Sequence, residues 1–544
     1  MRRTPIALVI ALLMVVATAG TAIARNSTSS RDTQANQPQV AGIADSNTSA
    51  RFPTNKQNEP TVAIAPDGRH AIGAANDEQK QPACGARPGA PANDCSFVTD
   101  VGTSGVYTSS DGGTTWTNQG LLPGYTDSGL SVARSAGPLA TSVAPGTLVS
   151  DGDPVVVFGP VLKNGTFDWR NGTRAYYANL AAHSTAARPG NQRAEMIAVS
   201  ISDDYGASWR DPIIAARSNG NVFNDKEDIW VDRNPTSPFF GRVYVSYTEF
   251  RSVPGTAEPI IFVSSNDGGL TWSGQNQISS AYNNASRGGR QGSVIRTGPK
   301  GEVYVVFEDG DNKLGSQQVA VVSLDGGATF SKKISISGVH DIADPIPGAN
   351  FRTDSFASAG VDQTTGAVYV AWSDATTAGG RIVVSRGTEH GQTWSAPVAV
   401  SAGAEGYAFF QGLDVAPNGR VDVGYQALKT GDPGTFGTGN AWIDSYYVSS
   451  TNGTTWTAPL RISTASSDPA ASAQNNLARQ FWGDYNTVAS TDTNVLFIYT
   501  DSRTGVGCPA VDAYQRGTAS KPTPGTACPP QFGNSDAWVS KITP

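Results

Sequence analysis

Ser109-Ser-Asp-Gly-Gly-Thr-Thr-Trp116 is the first copy of a stretch that returns along the chain. It recurs as Ser202-Asp-Asp-Tyr-Gly-Ala-Ser-Trp209, Ser265-Asn-Asp-Gly-Gly-Leu-Thr-Trp272 and Ser323-Leu-Asp-Gly-Gly-Ala-Thr-Phe330. Two decayed copies follow, Gly387-Thr-Glu-His-Gly-Gln-Thr-Trp394 and Ser449-Ser-Thr-Asn-Gly-Thr-Thr-Trp456. Each part of the pattern S-x-D-x-G-x-[ST]-[WF] has a physical task. The carboxylates of Asp111, Asp204, Asp267 and Asp325 can accept from backbone N–H groups of their own turn. The glycine supplies a positive φ, and the aromatic pins the hairpin between neighbouring sheets.

Successive aromatic ends lie about 60 residues apart after a longer first interval, the length of one four-stranded blade with its loops. Alternating strands precede the boxes, as in Gly241-Arg-Val-Tyr-Val-Ser-Tyr247 and Gly301-Glu-Val-Tyr-Val-Val-Phe307. Inner strands are expected near 59–65, 153–158, 227–232, 291–296, 353–361, 410–416 and 483–489. The seventh unit has Val495–Tyr499 and Ala537–Lys541 but no box, so its outer strand should come from the N-terminal part of the chain. The expectation is an all-β protein: one β-propeller over residues 51–544, seven-bladed with six as the alternative, its ring closed by N- and C-terminal strands.

The repeated stretch is the Asp box (BNR repeat). On it the chain resembles the sialidase (neuraminidase) superfamily over about residues 55–543. The resemblance implies a propeller scaffold rather than one activity, because Asp-box propellers include hydrolases, lyases, receptors and assembly factors. Typical sialidases have six blades, so a seven-bladed ring departs from the pattern.

Composition agrees with short strands and tight turns: 60 Gly, 33 Pro and only 16% charged residues. A net charge of −7 offers no basic field for nucleic acid. Residues 1–24 read as a secretory signal, with Arg2 and Arg3 before an apolar run and Ala22-Ile23-Ala24 at its end. Residues 25–50 are polar and read as a flexible leader. No later segment is apolar for long enough to span a membrane. The protein is therefore expected to be secreted, not integral to a membrane, and monomeric. Four cysteines, Cys84, Cys95, Cys508 and Cys528, suggest disulfides in an exported chain. Three pairings are open; the local one would close two Pro/Gly-rich loops.

In a blade of four antiparallel strands, the 1–2 and 3–4 turns share one face. The boxes are 3–4 turns, and the 1–2 turns beside them are mostly short. The opposite face carries long loops near 77–104, 178–194, 427–441 and 502–534, so a site is expected there over the central channel. Strand ends on that face bring Asn58, Glu59, Asp77, Glu78, Asp225–Asp228, Arg287, Arg290, Arg352, Asp354, Gln411 and Phe481-Trp-Gly-Asp-Tyr485 towards the mouth. Carboxylates, cations and aromatics in that mixture suit a sugar.

The family resemblance implies roles. Asp77 would be the acid/base, Tyr485 the nucleophile and Glu227 its partner. Arg290 and Arg352 would hold a substrate carboxylate bidentately, with Trp482 and Asp484 also at the substrate. The family's first arginine has no counterpart, because Asn58 stands there. Asp225, Glu227 and Asp228 could alternatively hold a structural Ca²⁺; no other cofactor is expected. The function expected is a sialidase-like glycoside hydrolase acting on terminal, acidic sugars of glycans or glycoconjugates. The alternatives are a non-catalytic glycan- or protein-binding propeller and a polysaccharide lyase.

Overall fold

The computed structural model describes residues 28–29, 32–43, 46–98, 100–125, 148–184, 195–218, 222–251, 257–281, 289–310, 315–376, 379–430 and 441–544. The segment 1–24 and Arg287 lie outside them. The described residues form seven antiparallel sheets. Their inner strands are Gln57–Ile64, Leu148–Lys163, Val222–Val231, Arg290–Thr297, Ser358–Val361, Tyr407–Val415 and Thr487–Ser490. The ring thus has seven blades, numbered here in that order.

Apolar residues on facing sheets form a core between every adjacent pair. Ile72 and Val106 of blade one meet Phe158 and Tyr177 of blade two. The series ends with Val62 and Tyr107 against Ile498 and Val539, which joins blade one to blade seven. Both faces of each sheet are buried, which is why the second strands, such as Val303–Asp309, are almost continuously apolar.

Blade seven closes the ring with both ends of the chain. Val495–Asp501 pairs with Asp536–Thr543, and Thr28–Ser29 and Thr33–Gln34 pair on the outer side of that strand. The segment read as a flexible leader is therefore partly a blade edge. Apolar pattern could not reveal it, because polar bonds hold it. Asp32 is buried, accepts from the Tyr499 hydroxyl at 2.9 Å and pairs with Arg503 at 2.7 Å. Asn36 donates to Gln57 at 2.8 Å and to Asp536 at 2.9 Å.

The boxes form the turns expected of them. Asp267 accepts from Leu270 N at 3.0 Å, Thr271 N at 2.9 Å and the Thr271 hydroxyl at 2.5 Å. Gly269 takes φ +85°, and Trp272 donates to its carbonyl at 3.2 Å. The Thr329 hydroxyl and backbone hold Asp325 down to a pKa of about 2. In the decayed sixth box Asn452 keeps the same bonds to Thr454 and Thr455.

Five inner strands carry one extra residue near their start. Register slips between Asn58 and Thr61, Gly152 and Val155, Asp225 and Asp228, Gln291 and Val294, and Phe409 and Gly412. The first bulged residue is left-handed each time: Glu59 (φ +54°), Asp153 (+53°), Lys226 (+54°), Gly292 (+66°) and Phe410 (+47°). Such a bulge bends the strand and re-aims its side chains. Here the bulges ring one end of the channel.

Blade two is longer than its neighbours. Its Leu148–Lys163 and Thr166–His183 strands form a hairpin around Asn164-Gly165, both left-handed. Its tip runs past the blade on the Asp-box face, where Trp169 meets Phe240 edge-on at 6.3 Å. This is the exception to the short turns expected on that face.

Candidate functional site

The bulges open into a cavity of about 640 Å³ at the loop-rich mouth. Three successive blades each send a carboxyl into it: Glu59, Asp153 and Asp225. The charge of Asp153 acts on both of the others. Asn76 braces the first two bulges. Its amide donates to Glu59 Oε2 at 2.6 Å, and its carbonyl accepts from Asp153 N at 2.7 Å. Asp484 adds a fourth carboxyl from the approach to blade seven. Gly483 (φ +80°) packs so tightly that a Cβ there would meet Glu59 Cγ at 2.6 Å. That contact sets Asp484 beside Glu59.

Two cations complete the cluster. Arg352 grips Asp484 bidentately, Nε to Oδ1 at 2.7 Å and Nη2 to Oδ2 at 2.5 Å, and stands 3.6 Å from Glu59 Oε1. Lys226 Nζ sits 3.6 Å above the Tyr485 ring. Phe97, Phe223, Phe356 and Phe481 supply aromatic wall. Lys56, buried, pairs with Glu78 at 2.6 Å and bonds to Asn475, stiffening one side.

Burial, with crowding second, makes Glu59 and Asp225 weak acids. Burial pushes Glu59 well above the ordinary carboxylate range, and repulsion from Asp153 and Asp484 adds to this against the pull of Arg352. Burial and then Asp153 do the same to Asp225, with Lys226 opposing. Burial also raises Asp484, and Arg352 opposes it. Glu227 is pushed well up, first by burial and then by Asp153. Neither of its buried oxygens has a hydrogen-bond partner among the described residues. The Tyr485 hydroxyl is likewise buried and unbonded. Burial and the charges of Asp153, Glu59, Glu227 and Asp484 drive its pKa far above the ordinary tyrosine value.

Of the residues assigned roles by resemblance, Arg352 and Asp484 line the cavity. Glu227 and Tyr485 lie beneath it, within the field of Asp153 and of each other, with no hydrogen bond between them. Asp77 is elsewhere. It is buried and accepts from Gln57 at 2.9 Å, Tyr107 at 2.9 Å and Gln79 at 2.9 Å, which oppose the upward push of burial. Arg290 is buried beside Asp309 at 3.4 Å. Its neighbour Gln291 lines the cavity instead, because successive strand residues point to opposite sides. Trp482 is core: its ring lies tilted against Phe351 at 6.0 Å and it donates to Gln426 at 2.8 Å. Asp354 does not line the cavity, and Gln411 bonds to the Phe356 and Ala371 carbonyls. Among the described residues, no group of three or more metal-ligating side chains is arranged to hold an ion, the Asp225–Asp228 stretch included.

Asp153 was missed as a site residue, and Lys226 was read only as part of the Asp225–Asp228 stretch. Gly152-Asp153-Pro154-Val155 matches Asn58-Glu59-Pro60-Thr61 in strand position and in proline. Aligning the inner strands on that proline would have found Asp153.

The disulfides are the local pair, Cys84–Cys95 and Cys508–Cys528. Both pack with Phe52, Leu477 and Phe532 in one cluster on the loop-rich face, between blades one and seven. Among the described residues no helix is long and apolar enough to cross a membrane.

No protein-family model and no curated protein matches the sequence. Solved structures that resemble the chain include the leech intramolecular trans-sialidase, at 15% identity and TM-score 0.39 over 68% of this chain and 65% of that one. The GH93 α-L-arabinofuranosidase of Fusarium graminearum matches at 10% identity and TM-score 0.42 over 95% and 98%. A PL25 ulvan lyase matches at 12% identity and TM-score 0.37 over 63% and 76%. The chain is a β-propeller of seven blades, and sialidases are among the solved structures it resembles.

Proposed function

We propose that this chain is a carbohydrate-active propeller that hydrolyses glycosides at its acidic mouth. The observation that carries this is the meeting of Glu59, Asp153 and Asp225 from three blades in one cavity. Glu59 and Asp225, whose protons are held to higher pH, stand beside Asp484, which pairs with an arginine, and these are the kinds of group that glycoside cleavage needs. Asp225 is half-buried and faces the cavity, so it is the proton donor to the leaving oxygen. As the glycosidic C–O bond breaks, Asp484, paired bidentately with Arg352, faces the developing positive charge. Water then adds to the anomeric carbon and gives its proton to a carboxylate of the cluster. Glu59 and Asp153 set the proton affinity of Asp225. Tyr485 keeps its proton among four carboxyls and supports the floor under Lys226.

The substrate in this reading is a neutral sugar. Seven carboxyls and three cationic groups line the cavity. Arg352 is engaged by Asp484 and Arg290 by Asp309, which leaves neither of the expected arginines for a substrate carboxylate. The two disulfides support secretion, since such bonds persist in oxidising compartments. In that setting a monomer would act on extracellular glycans or glycoconjugates.

The test is a panel of neutral and acidic chromogenic glycosides and polysaccharides given to the whole protein. Reducing ends and the near-ultraviolet absorbance of unsaturated products are both followed. Turnover of a neutral glycoside, lowered about 100-fold or more by Asp225→Asn, is expected. An unsaturated product would instead make the protein a lyase. Binding without any turnover would make it a lectin-like propeller.

A further inference from the structure

The same inner strands that start at the acidic mouth end at a second cavity, of about 610 Å³, on the Asp-box face. Its centre is Trp230. Two guanidiniums, those of Arg233 and Arg296, each lie 4.2 Å from that ring. Trp169, carried in by the long blade-two hairpin, forms an aromatic wall. Asn234, Gln363 and Thr491 give the rim polar groups, and Asp67 and Asp492 bring carboxylates that accept from Arg69 N at 2.9 Å and His70 N at 3.0 Å, and from Asn418 N at 2.8 Å.

The two arginines are incompletely satisfied. Arg296 Nη1 reaches Asp228 Oδ2 at 3.1 Å and the Ile295 carbonyl at 2.5 Å, but its Nε is buried without a partner among the described residues. Arg233 makes no hydrogen bond or ion pair among the described residues. Asp414 and Asp232 act on it only through their fields. Asp414 is occupied in accepting from Val415 N at 2.9 Å and Ser490 N at 2.8 Å. A half-buried guanidinium with unused donors is costly unless something accepts from it. It is also the group best shaped to meet a planar or tetrahedral oxyanion through two parallel bonds.

We propose that this cavity is a second binding site, for an anionic saccharide unit: a sugar ring bearing a carboxylate or a sulfate. The anion meets Arg233, with Arg296 adding charge behind it. The ring packs against Trp169, as sugar rings do on aromatic walls. The site stands apart from the hydrolytic reading and does not depend on it.

Isothermal titration of the whole protein with three probes tests this: an oligogalacturonate, a sulfated disaccharide and a neutral oligosaccharide of similar length. Binding of at least one anionic probe, with the neutral probe at least tenfold weaker, is expected. The two anionic arms tell carboxylate from sulfate. Arg233→Gln should weaken binding tenfold or more, and Arg233→Lys by less, since charge is kept and the fork is lost. Trp169→Ala should also weaken it, with the melting temperature of each variant showing that the ring stays folded. The proposal is overturned by no anion binding to the wild type, by equal binding of the neutral probe, or by binding that survives Arg233→Gln. It is also overturned if Lys226→Gln abolishes the binding, because the anion would then sit at the opposite mouth.

Discussion

The two ends of the channel have similar volumes and different chemistry. Inner strands of about seven residues separate them by about 20 Å. At one end the bulges at Glu59, Asp153 and Lys226 break the alternation and turn carboxyls inward. At the other end most strands run into short turns, and Trp230, Arg233 and Arg296 line the opening with Asp67, Asp414 and Asp492. One propeller therefore presents an acidic cup and an aromatic cup in which two guanidiniums meet three carboxylates. The difference comes from backbone register, not from strand composition: a single inserted residue decides which side chains face the axis.

Removing acidity at the bulged end should have the largest effect. Asp225→Asn and Glu59→Gln are each expected to lower turnover of a neutral glycoside by about 10²–10⁴-fold, measured as kcat/KM. Asp225→Asn with turnover at the wild-type level would move the chemistry to other groups.

The acidic mouth also leans on its disulfides, whereas the other mouth is framed mostly by short turns. Removing Cys508–Cys528, whose partners are 20 residues apart, should cost about 2–4 kcal/mol in chemical unfolding and raise KM at the acidic mouth. A loss confined to KM, with no change in unfolding, would show that the loop is fastened by the Phe52 and Phe532 cluster alone.

Glu227 sharpens the contrast from beneath. Its folded pKa lies well above the unfolded value. Its contribution to stability is therefore present below the unfolded pKa and declines as pH rises through the folded one. Glu227→Gln should match the wild type near pH 4 and be more stable by about 1–3 kcal/mol at pH 8. Thermal melts at both pH values check this, and a variant less stable at pH 8 would mean that the charge has an unseen partner.

The smallest effect is expected at the boxes. Asp267→Ala should cost about 1 kcal/mol, the scale of a lost turn cap, and leave both mouths unaltered. Loss of binding at the Trp230 cavity in that variant would show that the boxes support it directly.

The architecture was legible because its signals are local. Each Asp box satisfies itself within eight residues, and alternation names the strands. Blade seven was legible as an incomplete unit, yet residues 28–29 and 33–34 were not legible as its edge, because hydrogen bonds from Asp32 and Asn36 leave no apolar period. The site was legible as a face and only partly as residues. Arg352 and Asp484 follow from strand ends. Asp77 fails because Tyr107, thirty residues on, captures its carboxylate. Arg290 fails by one step of alternation beside Gln291, and Trp482 because Phe351 and Gln426 take it into the core. Which side chain a bulge releases depends on register against a neighbouring strand, and only a strand-by-strand comparison of Glu59-Pro60 with Asp153-Pro154 hints at it.

The most direct test is the pH dependence of kcat/KM on a neutral glycoside, for the wild type and Asp225→Asn. A donor with a raised pKa is active while protonated, so wild-type activity should persist above the ordinary carboxylate range and fall as pH rises through the raised pKa. In Asp225→Asn the rate should drop at least about 100-fold and that falling limb should disappear. An unchanged rate with the same limb in Asp225→Asn would contradict the assignment of catalysis to the bulged, acidic mouth.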